Sequence, residues 1–568
     1  MKQGCRKKFK NNGGITLIAL AVTILVLIIL ASISIKALTG DNGIIGQSKN
    51  AKDSAEIDSE KEVIETSVVQ ATGKDRYGNI TKENMKEYMD KNAGEGKTEV
   101  IDNGDTLVVK FIDSERYYEV DIDGNTEGPK ELINDKNVGD LSKGEKNDGS
   151  EEKPFEINCI EDLVTFSIMS NGGNSELGIS SSNFSGKYVV LNRTLDFNSI
   201  FSYNDYTTTK YGDLNTDGVI EDIRTELTKK DEGCIGFKAI NNFAGAFDGK
   251  ENMLKNIYQK VSDGSVALFV CKSNMIKNIS LTGTIINTNW HAAGIICSDG
   301  IVSVDNCKNY ANVTGYNMVG GICDITRNNN TKISNCINYG TINITGGGWS
   351  YCAAGGIIGF VESNATIENC INEGDVIGNT TRAGIIGCSK DVNIKNCINK
   401  GKSVAGILGW ARGGTINIIN SYNFGECNNG IVDGFSGANW EYIMELNIKN
   451  CYNLGKVSNS GIIGGQGTVC ASITLNIENC YNAGIGNKAI LGNISYDGRT
   501  TTTTNISNTY YDTSKSTSAG ATTDGITALS ETEIKNNETF IETLNNNIGE
   551  NTEWKRWKIG EDGYPTFE

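Results

Sequence analysis

Between residues 304 and 512 the chain writes nearly the same short string eight times, and this repetition constrains its fold more than any other feature. The copies are VDNCKNY with Cys307, ISNCINYG with Cys336, IENCINEG with Cys370 and IKNCINKG with Cys397. IINSYNFG with Ser421, IKNCYNLG with Cys451, IENCYNAG with Cys480 and a decayed ISNTYYD with Thr509 follow. Successive copies lie 29, 34, 27, 24, 30, 29 and 29 residues apart. Between them sit glycine-flanked apolar elements: AGIIC at 293–297, GGICD at 320–324, GGIIG at 355–359, AGIIG at 383–387, AGILG at 405–409 and GIIGG at 461–465. A unit of this length that cannot bury its apolar face alone must stack on its neighbours, so the period signals a solenoid.

The columns within the repeat say which solenoid. Three places before each Cys-equivalent stands Val304, Ile333, Ile367, Ile394, Ile418, Ile448, Ile477 or Ile506, the β-branched type that a buried strand prefers. The next position mixes acids, bases and Ser, as a solvated position does. Then comes an unbroken column of Asn: Asn306, Asn335, Asn369, Asn396, Asn420, Asn450, Asn479 and Asn508. Strict alternation would turn Asn inward and Cys outward. Asn tolerates left-handed backbone angles, however, so a chain that turns a corner there resets its parity and faces Cys307, Cys336, Cys370, Cys397, Cys451 and Cys480 inward. Asn amides stacked at ~4.8 Å are then placed to hydrogen-bond as a ladder. A leucine-rich repeat needs Leu columns and a propeller needs four strands per unit, whereas a parallel β-helix fits. The 16 cysteines form no CxxC pairs and His291 is the single histidine, which argues against zinc and for small buried apolar roles.

Gly at 67 and Pro at 3 among 568 residues suit many short strands joined by tight turns. The net charge of −17 argues against a nucleic-acid partner, because phosphate backbones need clustered Lys and Arg. Positive charge gathers only at the start, where Lys2, Arg6, Lys7, Lys8 and Lys10 precede the uncharged run Ile15 to Ile35. As a helix rising ~1.5 Å per residue this run spans about 31 Å, enough for a bilayer core. The basic residues would stay in the cytoplasm and the C-terminal bulk would lie outside the cell. A secretory signal peptide is the rival, although its apolar part is usually shorter.

The stretch Gly13-Gly14-Ile15-Thr16-Leu17-Ile18 resembles the prepilin-type leader of type IV pilins and pseudopilins. That resemblance implies a basic leader over 1–14, cleavage between Gly14 and Ile15 by a prepilin peptidase, and a membrane helix over 15–37. The family usually carries Glu at the fifth mature position, where this chain has Ala19, so the resemblance speaks more for processing than for fibre assembly. Residues 38–126 then read as a helical stalk with a small α+β unit, and 127–152, which lack aromatic residues, as a flexible spacer.

The tandem arrangement of NCYN.G with GGI.G resembles the GLUG-type repeats of bacterial surface proteins, a family of right-handed β-helical modules. PFEINCIEDLVTFS at 154–167, GKYVVLNRTLDFNSI at 186–200, FAGAFDGKENMLKNIY at 243–258 and the closing IGEDGYPTFE extend the likeness over 153–568. It implies a parallel β-helix over 153–512 and a C-terminal cap or tail over 513–568. The fold class is therefore all-β, a right-handed parallel β-helix carried on an N-terminal transmembrane helix and a small α+β stalk region.

Chemistry is sparse. Asp213, Asn215, Asp217 and Gly218 match the start of a calcium loop, but Arg224 stands where the twelfth-position acid belongs, and the plain alternative is a surface turn. A polysaccharide lyase or hydrolase would need gathered carboxylates. Asp299, Asp324, Glu362, Asp375, Asp391 and Asp433 fall at differing offsets and form no column. His291 beside Trp290 reads as a surface residue. Trp290, Trp349, Trp410 and Trp440 are sugar platforms or edge aromatics. The expectation is a membrane-anchored display protein that contacts an extracellular glycan or protein surface without catalysis. A minor pilin-like component of a secretion or fibre system, and a carbohydrate-active enzyme, are the alternatives.

Overall fold

A computed structural model describes residues 44–568 except 75–79, 103–105, 115, 122–123, 132–140, 142–146, 159, 174–178, 198–233, 273–274, 298–302, 328, 348–351, 436–442, 466–471 and 494–500. The leader, the run 15–37 with the Gly14–Ile15 junction, and Asp213, Asn215 and Asp217 lie outside the described residues. Among those described, no helix is long and apolar enough to cross a membrane. The chain divides into two units, Met1–Leu132 and Ile133–Glu568.

In the first unit a helix over Ile44–Lys74 is followed by another over Lys82–Asn92. Thr81 caps the second: its hydroxyl accepts from Asn84 N at 3.3 Å, and Asn84 Oδ1 accepts from Thr81 N at 2.7 Å. Strands Thr98–Asp102, Thr106–Phe111, Arg116–Asp121 and Thr126–Glu131 form an antiparallel sheet. Ile64, Met85, Met89, Val109 and Tyr118 are buried between helices and sheet. The buried Tyr118 hydroxyl donates to Glu60 at 2.7 Å, so its polar tip is satisfied. The segment read as a spacer is shorter than 127–152: Thr126–Glu131 is the fourth strand, because its backbone completes the sheet whatever its charge. At the other end Leu141 is buried in the core of the second unit, and Lys187 Nζ donates to Asp148 O at 2.7 Å.

The second unit is mostly β with long parallel sheets, a parallel solenoid. One face is a 12-stranded parallel sheet running from Phe155–Ile157 to Thr501–Ser507, beside a branched 16-stranded sheet. Val304, Ile333, Ile367, Ile394, Ile418, Ile448, Ile477 and Ile506 lie in register across it, and all but Ile506 are fully buried. Burying one such side chain contributes about 2–3 kcal/mol, so this column holds successive coils together. The chain then bends sharply at Asn. Asn306, Asn335, Asn369, Asn396, Asn420, Asn450, Asn479 and Asn508 all have φ between 47° and 56°, the left-handed region that Asn tolerates best after Gly. Beyond the bend the Cys column and Ser421 are fully buried. Each thiol donates to the carbonyl two residues back, as Cys451 does to Lys449 O at 3.1 Å.

The corner amides form a ladder. Asn396 donates to Asn369 at 2.9 Å, Asn450 to Asn420 at 2.8 Å and Asn479 to Asn450 at 2.8 Å. The ladder is interrupted at Asn335, which turns its amide to the Asp305 carboxylate at 2.7 Å, and Asn479 Oδ1 accepts from Asn547 at 3.1 Å. A second ladder lies deeper, three positions further along each copy. Asn309, Asn338, Asn372, Asn399, Asn423, Asn453 and Asn482 are wholly buried, and each donates to the next at 2.7–2.8 Å. The same amides also reach the carbonyl two residues on, as Asn399 does to Gly401 O at 2.8 Å, so no donor is orphaned.

This deeper ladder explains the glycine elements. A Cβ on Gly384 would sit 2.0 Å from Asn399 Oδ1, and one on Gly356 would sit 2.2 Å from Asn372 Oδ1. The two recurring halves of the repeat touch through the inside of the coil, and only a residue without a side chain fits there.

Residues 513–568 do more than close the stack. Ile526–Leu529 adds a parallel strand beside Thr509–Asp512. Helix Glu538–Ile548 and the hairpin Trp557–Ile559 with Pro565–Phe567 then fold back along the flank. They cover Tyr452, Tyr481 and Tyr510. Tyr422, Tyr452 and Tyr481 stack with centroids 4.5 Å and 5.2 Å apart, and Trp557 packs 5.6 Å from Tyr452. The Trp557 indole donates to Asn450 Oδ1 at 2.7 Å, tying this segment to the corner ladder.

Candidate functional site

The repeat pattern breaks at one position where the outer surface opens. At the last place of the glycine element the later coils carry Gly359, Gly387 and Gly409, followed by Asp433. A Cβ on Gly359 would meet Asp324 O at 2.6 Å, so backbones close up there. The earlier coils carry Val270, Cys297 and Asp324 instead. Ile296 pairs with Cys323, which sets the Cys297 and Asp324 side chains side by side on successive coils. They border a cleft of about 750 Å³, also lined by Asn242, Lys272, Trp290, His291 and Arg327.

A short turn delivers Trp290 and His291 to this cleft. Asn287, fully buried, accepts from Trp290 N at 2.8 Å and donates to His291 O at 2.9 Å. Tyr316 N donates to Trp290 O at 2.9 Å from the next coil. His291 Nδ1 stands 3.3 Å from Asp324 Oδ2, with the two side chains 7% and 1% exposed. Asp324 Oδ1 accepts from Ile325 N at 2.6 Å. The imidazole lies parallel to the Trp290 indole, centroids 4.9 Å apart and planes 2° from coplanar, while Trp290 itself is 48% exposed. His291 is therefore not the surface residue that its neighbours in sequence suggest; Asp324, 33 positions away, pulls it in.

Charge around the cleft is mixed. Lys272 and Arg327 are exposed at its rim, and Arg327 Nε is held by Glu362 at 3.2 Å. Burial first, and the Asp324 charge second, push the Cys297 thiol well above its ordinary range, and the thiol donates to Val266 O at 3.2 Å. Buried and hydrogen-bonded in this way, it has the surroundings of a packing group. The arrangement thus offers a rigid aromatic face, two cations and one imidazole–carboxylate pair.

Along the same face Met318, Ile325, Ala353, Phe360 and Cys388 form a small apolar cluster outside the main core, with Trp410 packed against it. Burial pushes the Asp433 carboxyl up, against a hydrogen bond from Asn429 at 2.6 Å and the charge of Arg382. Trp349 and Trp440 lie outside the described residues. Among those described, no group of three or more His, Cys, Asp or Glu is placed to hold a metal ion. The Asn and Cys columns are scaffold, and only Trp290 of the described tryptophans stands free at a cleft. Two features were readable and missed: the deeper Asn column, which every copy but the last writes two places after the Cys or Ser position, and the replacement of Gly by Asp in GGICD.

No protein-family model and no curated protein matches the chain. The resemblances to prepilin leaders and GLUG-type repeats therefore rest on the residues quoted above. Among solved structures the chain is similar to a Bacteroides ovatus protein provisionally assigned as an immunoglobulin A1 protease, at 16% identity and a TM-score of 0.30, over 77% of this chain and 99% of that one. A likeness at that level carries no argument about fold or chemistry.

Proposed function

We propose that this chain is a surface-displayed binding protein: a right-handed solenoid of GLUG type, anchored through a membrane helix over 15–37 and held outside the cell to contact a glycan or protein surface without transforming it. The observation that carries this reading is Trp290, an exposed indole held rigid by the buried His291–Asp324 pair at the mouth of a cleft. Burying such a pair is costly, and its use to support an exposed aromatic suits recognition. The solenoid adds many outward positions that vary from coil to coil, which suits multivalent contact with an extended partner. The test is a binding screen of the full chain against envelope glycans and host matrix proteins. Binding with the partner recovered intact supports the reading, and no binding to any member sinks it. Processing is checked separately: N-terminal sequencing of membrane material starts at Ile15 if the prepilin-type leader is cut after Gly14.

One observation favours a second reading, an acid–base enzyme acting on a polymer. A histidine oriented by a carboxylate inside a cleft is equipped to move a proton. Release of oligosaccharide from any polymer, abolished in His291→Gln, would establish the enzyme in place of the display protein.

A further inference from the structure

We propose that the cleft at Trp290 is a subsite for an acidic sugar, taking one pyranose ring that bears a carboxylate. This rests on the binding reading above and names its ligand class.

Three observations carry it. The first is the supported indole. One face of Trp290 is occupied by His291, and the residue remains 48% exposed, so its other face is open to a flat apolar ligand surface. A pyranose presents such a surface through its axial C–H groups, and an indole fixed beforehand loses little freedom on stacking. The second is charge. The chain carries 69 acidic against 52 basic residues, yet the cleft mouth gathers Lys272 and Arg327. Asp324, the acidic residue lining the cleft, is turned inward to His291 and the Ile325 amide, away from a ligand. An incoming carboxylate therefore meets Lys272 at the rim, beside an Arg327 that also pairs with Glu362 at 3.2 Å, with the one buried negative charge of the cleft already engaged. The third is shape. The cleft of about 750 Å³ is bordered by Cys297 and Asp324, with Trp290, Lys272 and Arg327 around it. It holds one or two sugar rings of a longer chain, and the solenoid surface beyond it takes the rest.

The experiment compares the full chain's affinity for galacturonate and glucuronate oligomers with that for their methyl esters, which keep every ring and remove the charge. The acid form of at least one series is expected to bind at least tenfold more tightly than its ester. Lys272→Ala should erase most of that difference while leaving ester binding in place. Trp290→Ala, at a half-exposed position, should weaken acid and ester alike by tenfold or more. Tyr310→Ala, in the exposed Tyr310–Tyr339 stack, should change neither. Equal affinity for acid and ester in both series, or affinity unchanged by Trp290→Ala, would overturn the proposal. If the full chain binds neither series but retains a neutral glycan or a protein from the wider screen, the acidic-sugar subsite is wrong and the display reading stands. If it binds nothing at all, both fall.

Discussion

Replacing Asn450 by Ala tests whether the corner ladder is a structural device or a by-product of stacking. Asn450 has φ of 52°, donates to Asn420 Oδ1 at 2.8 Å and Lys555 O at 3.0 Å, and accepts from Asn479 at 2.8 Å and the Trp557 indole at 2.7 Å. Truncation leaves the Asn479 amide and the indole N–H without this acceptor in a buried place, at about 1–3 kcal/mol each. Asn420 Oδ1 keeps a partner, since Lys555 N also donates to it at 3.0 Å. Holding Ala in the left-handed region adds roughly 1 kcal/mol. Together these give about 3–7 kcal/mol, localised to the coils around 420, 450 and 479. Asn450→Gly loses the same side-chain bonds but not the backbone fit, so it should be milder than Ala by about 1 kcal/mol. A solenoid does not unfold as one cooperative block, so the measurement is native-state hydrogen exchange of the strands Ile443–Lys449 and Ser472–Glu478. Protection lost by less than about 1 kcal/mol in Asn450→Ala, or a Gly variant as damaged as the Ala variant, would refute the argument.

Three further outcomes follow from the packing. Gly384→Ala forces a Cβ to within 2.0 Å of Asn399 Oδ1 and should lower stability by about 3 kcal/mol or prevent folding, whereas Gly347→Ala, with nothing within 4 Å, should be nearly neutral in a thermal melt. The twelve described thiols are buried, and burial pushes Cys388 up to about 12, so iodoacetamide at pH 8 should label none of them before denaturation, as peptide mass spectrometry would read. Trp557→Ala removes a buried indole from the Tyr452–Tyr481 stack and its bond to Asn450, costing about 3–5 kcal/mol. Limited proteolysis should then release fragments from 513–568 while the strands around Val304 to Ile394 stay protected.

A single chain makes legible whatever depends on the character of residues repeated in register. A β-branched column must be buried together, and Asn is the side chain that turns a corner at positive φ. Once it does, the following position, Cys451 in one copy and Ser421 in another, has to face inward. These are local preferences multiplied by repetition, which is why one chain suffices to read them. The tertiary structure decided what depends on residues distant in the chain. Asn399 meets Gly384 across the coil interior, which no alternation rule announces although both columns are written plainly. His291 is buried because Asp324 arrives beside it one coil later, and the pairing of two lone polar residues leaves no periodic trace. The hairpin at Trp557 finds Asn450 across 107 residues of chain, which turns an apparent tail into a cover for the tyrosine stack. Repetition makes the scaffold legible because every coil restates it; the cleft and the folded-back segment occur once, and a contact made once is specified only when the chain is folded.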